Sequence, residues 1–121
     1  LADNNYFNEG LVFYENKEFD KAKFKFEQDI VFNPKNEKSY LYLSKIFNEQ
    51  KKKELEEKNL NTVILLNPKN EEAVLNLVLL KIRKSNYEET KKLIKDFKDI
   101  CKKLCQQTSY LQNKLDEVLK K

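Results

Sequence analysis

The chain has no histidine, one glycine (Gly10), two prolines (Pro34 and Pro68), two cysteines (Cys101 and Cys105) and one arginine (Arg83) among 121 residues. Each scarcity removes a class of function. Without histidine the commonest general base and the commonest metal ligand are missing. A single glycine cannot build a phosphate-cradling loop, and so few turn residues argue against hairpins and β-sandwiches. Arginine gives the forked contacts that read phosphates and base edges, so 23 lysines beside one arginine argue against nucleic acid as a partner despite a net charge of +4. Two thiols alone do not complete a zinc site, and a Cys-x-x-x-Cys spacing is not the Cys-x-x-Cys redox motif. The many carboxylates include no pair isolated in an apolar setting. Nothing here suits an enzyme, a metal centre or a bound cofactor. No apolar run is long enough to span a membrane. The opening "LADNNYF" lacks both the basic region and the apolar stretch of a signal peptide. It also lacks an initiator methionine, so the sequence reads as a piece of a longer protein.

Hydrophobic residues make up 40% and charged residues 36%, with lysine, leucine and glutamate abundant. These are good helix formers, and the apolar residues run through the chain in helical spacing. A first helix carries apolar residues at 6, 7, 10, 11, 13 and 14. A second carries Phe19, Ala22, Phe26 and Ile30, and stops before Pro34, which lacks the donor a helix needs and forces the preceding residue out of α geometry. Asn36 is placed to cap the next helix. Tyr40, Leu43, Ile46 and Phe47 mark a third helix, "EQKKKE" a turn, and Leu55, Leu60, Val63 and Ile64 a fourth that ends at Pro68. Asn70 opens a fifth, "EEAVLNLVLLKIRK". Ser85-Asn86 turns the chain, and Tyr87 leads into a sixth. The segments "VFNPKN" from Val31 and "LLNPKN" from Leu65 are 34 residues apart, and so are the helix pairs around them. A fixed period of this length marks a repeat architecture.

Over residues 3–102 this pattern resembles the tetratricopeptide repeat family. The first repeat (about 3–36) matches at Tyr6, Gly10, Phe13, Ala22, Phe26 and Pro34. The second (37–70) matches at Tyr40, Leu43, Ser44, Phe47, Leu60 and Pro68, and departs at Glu56, where a small residue is usual. The third (71–102) fits at Val74, Leu77, Val78, Tyr87 and Ile94, whereas Lys81, Thr90 and Lys102 replace an aromatic, an alanine and a proline. The resemblance implies an all-α, right-handed superhelical stack of three helix-turn-helix repeats with a C-terminal extension or cap over 103–121. A single pair cannot bury both of its faces, which is why such repeats come in series.

The resemblance also implies a non-catalytic protein-protein interaction domain, an adaptor or assembly module, whose first helices line a concave groove. That groove would present Phe7, Leu11, Tyr14, Leu41, Tyr42, Leu75, Asn76, Leu79 and Ile82, with Asn8, Lys45 and Asn48 beside them. Many members clamp a terminal carboxylate at positions that here carry Phe7, Leu11, Tyr42, Glu72 and Asn76. Only Asn76 offers amide donors there, and Glu72 would repel a carboxylate. The partner expected is therefore an apolar peptide or an amphipathic helix of another protein. In the first helix two apolar stripes run side by side, 6-10-13 and 7-11-14. One serves packing within the stack; the second points to a partner or to filling from within the chain.

The tail allows two readings. Phe97, Cys101, Leu104, Thr108, Leu111, Leu115 and Val118 follow a heptad seam. An unbroken helix from Glu88 to Lys120 would reach about 50 Å at roughly 1.5 Å per residue, and its seam (Leu104, Thr108, Leu111, Leu115, Val118) would make the chain a self-associating module, a homodimer. The other reading breaks the helix at "QQTS", where Ser109 and Gln112 fit a capping box, and folds residues 110–120 back as a cap. With no glycine or proline to interrupt the seam, the unbroken helix is the expectation. On a continuous helix Cys101 and Cys105 share one face and are expected to be free structural thiols, which fit a cytoplasmic location without establishing it.

Overall fold

The computed structural model describes residues 5–120. Among them are seven helices and no strand: α1 (Tyr6–Glu15), α2 (Phe19–Phe32), α3 (Glu37–Glu49), α4 (Lys53–Leu66), α5 (Glu71–Arg83), α6 (Tyr87–Ile100) and α7 (Gln107–Leu119). The all-α expectation holds, with six helices in three pairs and a seventh after them. The chain divides into two compact units, Leu1–Leu66 and Asn67–Lys121.

The turn within each pair has one form. After α1, α3 and α5 the chain passes through Lys17, Lys51 and Ser85, with φ of 60°, 58° and 58°. They stand 34 residues apart, so the sequence period is also a backbone period. In each turn the left-handed residue donates its N–H to a carbonyl three residues back, and its successor donates to one five residues back: Lys17 to Tyr14 and Glu18 to Phe13, Lys51 to Asn48 and Lys52 to Phe47, Ser85 to Ile82 and Asn86 to Lys81. This is the Schellman closure, which satisfies the last helical carbonyls. Glycine usually takes the left-handed position; here lysine or serine does.

Between pairs, the Asn-Pro-Lys-Asn segment stops one helix and caps the next. Asn33 holds φ −128° and ψ 69°, outside the helical range before Pro34. Three residues on, Asn36 Oδ1 accepts the Lys38 N–H, and Asn70 Oδ1 accepts the Ala73 N–H in the second copy. Asn86 caps α6 through the Glu89 N–H.

In the first unit α1 packs on α2, α2 on α3, and α3 on α4. Ala22, Phe26, Leu43, Ile46 and Phe47 form one buried cluster. Gly10 makes the α1–α2 approach possible: a Cβ there would lie 2.6 Å from the Phe26 ring. The end of α2 carries a buried polar group. The Asp29 carboxylate, 2% exposed, accepts hydrogen bonds from Ser39 Oγ (2.6 Å), Asn36 Nδ2 (2.7 Å) and Asn33 Nδ2 (2.9 Å), tying the end of α2 to the start of α3.

In the second unit α5 packs on α6, and α7 packs on both. The departures from the repeat pattern have local explanations. Lys81, in an aromatic's place, is buried with its ammonium 3.3 Å from Glu89. Thr90, in an alanine's place, is fully buried and turns its hydroxyl to the Asn86 carbonyl at 2.7 Å. In the first unit, Glu56 is likewise buried.

The tail corrects two expectations. The helix is not continuous from Glu88 to Lys120: α6 ends at Ile100, and Cys101 is extended, with φ −65° and ψ 145°. The break runs over residues 101–106 and so ends at the first residue of "QQTS"; the fold-back reading holds, but without its capping box, since Ser109 and Gln112 lie inside α7 and the cap position is Gln106. The break comes earlier because Glu71, at the start of α5, gathers three consecutive amides. Its carboxylate accepts from the N–H groups of Lys102 (2.8 Å), Lys103 (3.1 Å) and Leu104 (2.9 Å), which a continuing helix would have spent on its own carbonyls. The cysteines are also not free thiols. Cys101 and Cys105 form a disulfide across this loop, with Cα atoms 5.3 Å apart. Away from regular helix geometry, the one-turn spacing no longer opposes the bond. After the loop α7 folds back, burying Leu111 and Leu115, which the seam reading had assigned to a partner copy. Leu104, Thr108 and Val118 are half-buried.

Candidate interaction surface

The two apolar stripes of α1 have different neighbours. Tyr6, from the first, stacks on Phe32 at 5.8 Å, while Gly10 sits against Phe26. The second stripe, Phe7-Leu11-Tyr14, packs along the buried cluster and meets α3 through Tyr42. The Tyr42 ring stacks on Phe26 (centroids 5.4 Å apart, 23° between planes), takes Phe7 edge-on at 6.0 Å and Tyr14 edge-on at 5.1 Å. Phe7 also lies 5.7 Å from Phe26, and Tyr14 5.5 Å from Phe19. These offset and edge-on arrangements are the favourable ones for aromatic quadrupoles, so the rings hold one another in place. Phe7, Leu11, Tyr14 and Tyr42 remain half-exposed. The Lys45 ammonium lies 4.5 Å from the centre of the Tyr42 ring. The result is a wall of rings on α1 and α3, rigid at its base and open at its edge, with a cation on one side.

The other expected groove residues differ in exposure. Leu41 is buried at 7% exposure, so it belongs to the core rather than to a surface. Asn8 and Asn48 are exposed. On α5, Leu75, Asn76, Leu79 and Ile82 are half-buried, while Ala73, Val74, Leu77, Val78, Leu80 and Lys81 are buried. α5 is thus covered over most of its circumference. Glu72 is half-buried in the first turn of α5.

Sequence reasoning missed two groups. Asp29 was not singled out, although its acidic side chain at the end of an apolar helix, four residues before Asn33, was a usable signal. The partners of Glu71 lie more than 30 residues away, and no local pattern announces them. No described helix is long and apolar enough to cross a membrane.

The arrangement of paired helices defines the class: the fold is that of a tetratricopeptide repeat domain. The chain matches the first such domain of Spaghetti (RPAP3), solved bound to the HSP90 peptide SRMEEVD, with a TM-score of 0.83 at 17% identity, over 96% of this chain and 94% of that one. It matches the Sgt2 tetratricopeptide repeat domain from Aspergillus fumigatus with a TM-score of 0.79 at 16% identity, over 97% of this chain and 81% of that one. No family model and no curated protein matches the sequence.

Proposed function

We propose that this chain is a non-catalytic protein-interaction module that takes an apolar peptide, or the apolar face of an amphipathic helix, on the first helices of its repeats. The observation that carries this reading is the half-exposed ring wall of Phe7, Tyr14 and Tyr42, with Leu11 between them. A surface already held rigid loses little entropy when a partner covers it, and burial contributes roughly 25 cal/mol per Å² before the costs of association. On α5, Leu75, Asn76, Leu79 and Ile82 offer a second half-buried face of the same character. The fold neighbour with its bound peptide supports the interaction class. The ligand type differs on chemical grounds. Phe7, Leu11 and Tyr42 supply apolar surface where a carboxylate clamp needs fixed donors.

The test is a binding series with synthetic peptides, read by tyrosine emission, which the absence of tryptophan leaves unobscured. An apolar amphipathic peptide should bind equally well with a free or an amidated C-terminus, and at least tenfold more tightly than an acidic peptide of the SRMEEVD type. Leu11→Asp with Leu79→Asp should abolish that binding in a protein that keeps its helical circular dichroism. A tenfold loss on amidation would instead establish a carboxylate clamp.

A further inference from the structure

Three consecutive amides, those of Lys102, Lys103 and Leu104, converge on the Glu71 carboxylate. They are the three residues enclosed between Cys101 and Cys105, which the disulfide joins. The covalent ring and the hydrogen-bonded cluster are therefore one object, a closed loop pinned to the first turn of α5. This loop leads into α7, whose buried Leu111 and Leu115 belong to a helix packed on α5 and α6. α7 has no side-chain cap at its N-terminus, and its N-cap residue Gln106 is already in helical geometry. Its entry is set by the loop.

We infer that the Cys101–Cys105 disulfide is a redox latch for α7: with the bond closed the loop stays pinned to Glu71 and α7 stays seated on α5 and α6, and with the bond reduced α7 is released. Cys105 is exposed and Cys101 half-buried, so an incoming thiolate reaches the Cys105 sulfur first. A dithiol reductant supplies both electrons. Its first thiolate forms a mixed disulfide with Cys105 and expels the Cys101 thiolate, which takes up a proton. Its second thiolate then closes the reductant's own disulfide and releases Cys105, which is protonated in turn. The products are two protein thiols and one oxidised dithiol. Without the ring, residues 102–104 recover backbone freedom, and holding three amides on one carboxylate carries an entropic penalty that the disulfide had removed. Release uncovers the apolar faces of α5 and α6 that α7 covers.

Amide hydrogen exchange on the whole chain, oxidised and then reduced with dithiothreitol, tests the latch. A ring of this size corresponds to a change of about 30-fold in the opening equilibrium. Exchange in α7 should accelerate by about that factor on reduction, while the helices of the first unit keep their rates. A rise in α7 below threefold, or one shared equally by α1–α4, overturns the inference. Glu71→Gln, measured with the disulfide intact, supplies a second arm free of any effect of reductant. It should also accelerate exchange in α7, and reduction should then add less than it does in the unaltered chain, because both changes act through one loop. Full additivity, or no change in α7 with Glu71→Gln, would mean that the disulfide and Glu71 are not coupled and would overturn the latch as drawn.

Discussion

The repeat itself provides a control for the buried Asp29 cluster. At the positions 34 residues after Asp29 and Ser39 the chain carries Val63 and Ala73, while Asn33 and Asn36 recur as Asn67 and Asn70. One Asn-Pro-Lys-Asn segment thus adjoins a buried carboxylate and hydroxyl, and the other adjoins two apolar residues, with Val63 and Ala73 both fully buried. Transplanting the apolar pair into the first repeat gives a double-mutant cycle. Asp29→Val alone removes the acceptor of three hydrogen bonds and leaves the fully buried Ser39 hydroxyl without the carboxylate it donates to at 2.6 Å. Bonds to charged groups contribute about 1.5–3 kcal/mol each, offset in part by the carboxylate's desolvation, so a loss of about 3 kcal/mol is expected. Ser39→Ala alone removes one of the carboxylate's three donors, for about 2 kcal/mol. In the double variant no donor is stranded at position 39 and no charge is buried at 29. Its loss should be about 3 kcal/mol rather than the sum of about 5 kcal/mol, a coupling of about 2 kcal/mol. Urea titrations followed by circular dichroism measure all four corners. Additivity within about 0.5 kcal/mol would refute the claim that the two residues act as one group.

Backbone and charge give two further outcomes. Replacing Lys17, Lys51 or Ser85 by glycine should stabilise the fold by up to about 1 kcal/mol each in thermal or urea unfolding, because a left-handed conformation costs residues with a Cβ about 1–2 kcal/mol and glycine's extra freedom in the unfolded chain returns part of that. The Glu71 carboxyl is held below its ordinary value of 4.5, chiefly by the Leu104 amide and then by those of Lys102 and Lys103, with the Lys103 ammonium adding to them and partial desolvation opposing. A lowered folded-state value means that this stabilisation is fully present above pH 4.5 and is lost as pH falls through the lowered value. Exchange protection of α7 should therefore weaken on acidification over that window, and Glu71→Gln should remove this component of the pH dependence.

What could be read from the sequence was what depends on near neighbours. Pro34 and Pro68 stop helices through their own missing donor, Asn36 and Asn70 cap the residues after them, and the apolar spacing of α1 to α6 reports the faces that must be covered. These signals reach only a few residues, and a 34-residue period repeats them, so the first five helices emerged close to where they are observed, and the sixth at its start. The left-handed turns at Lys17, Lys51 and Ser85 share that period, yet they were hidden because lysine and serine do not advertise a conformation that glycine would have.

The tail shows why local logic fails elsewhere. From Phe97 to Val118 the heptad phase is unbroken in sequence, and propensity alone favours one helix. The break is imposed by Glu71, whose carboxylate competes for the amides of Lys102, Lys103 and Leu104 from more than 30 residues away. With those three amides on Glu71, residues 102–104 lie outside the helix, Cys101 and Cys105 meet, and the heptad residues Leu111 and Leu115 turn inward. The interaction surface has the converse ambiguity. A stripe such as Phe7-Leu11-Tyr14 reads the same whether it packs inside the chain or waits for a partner. In the folded chain each ring rests one edge on Phe26, Phe19 or Tyr42 and leaves the other open. Under the proposed function such a residue would serve stability and binding at once, so truncating Tyr42 would confound the two. Charge reversal at the half-exposed Leu11 and Leu79, checked for retained helix content, is therefore the sharper probe of the proposed partner face.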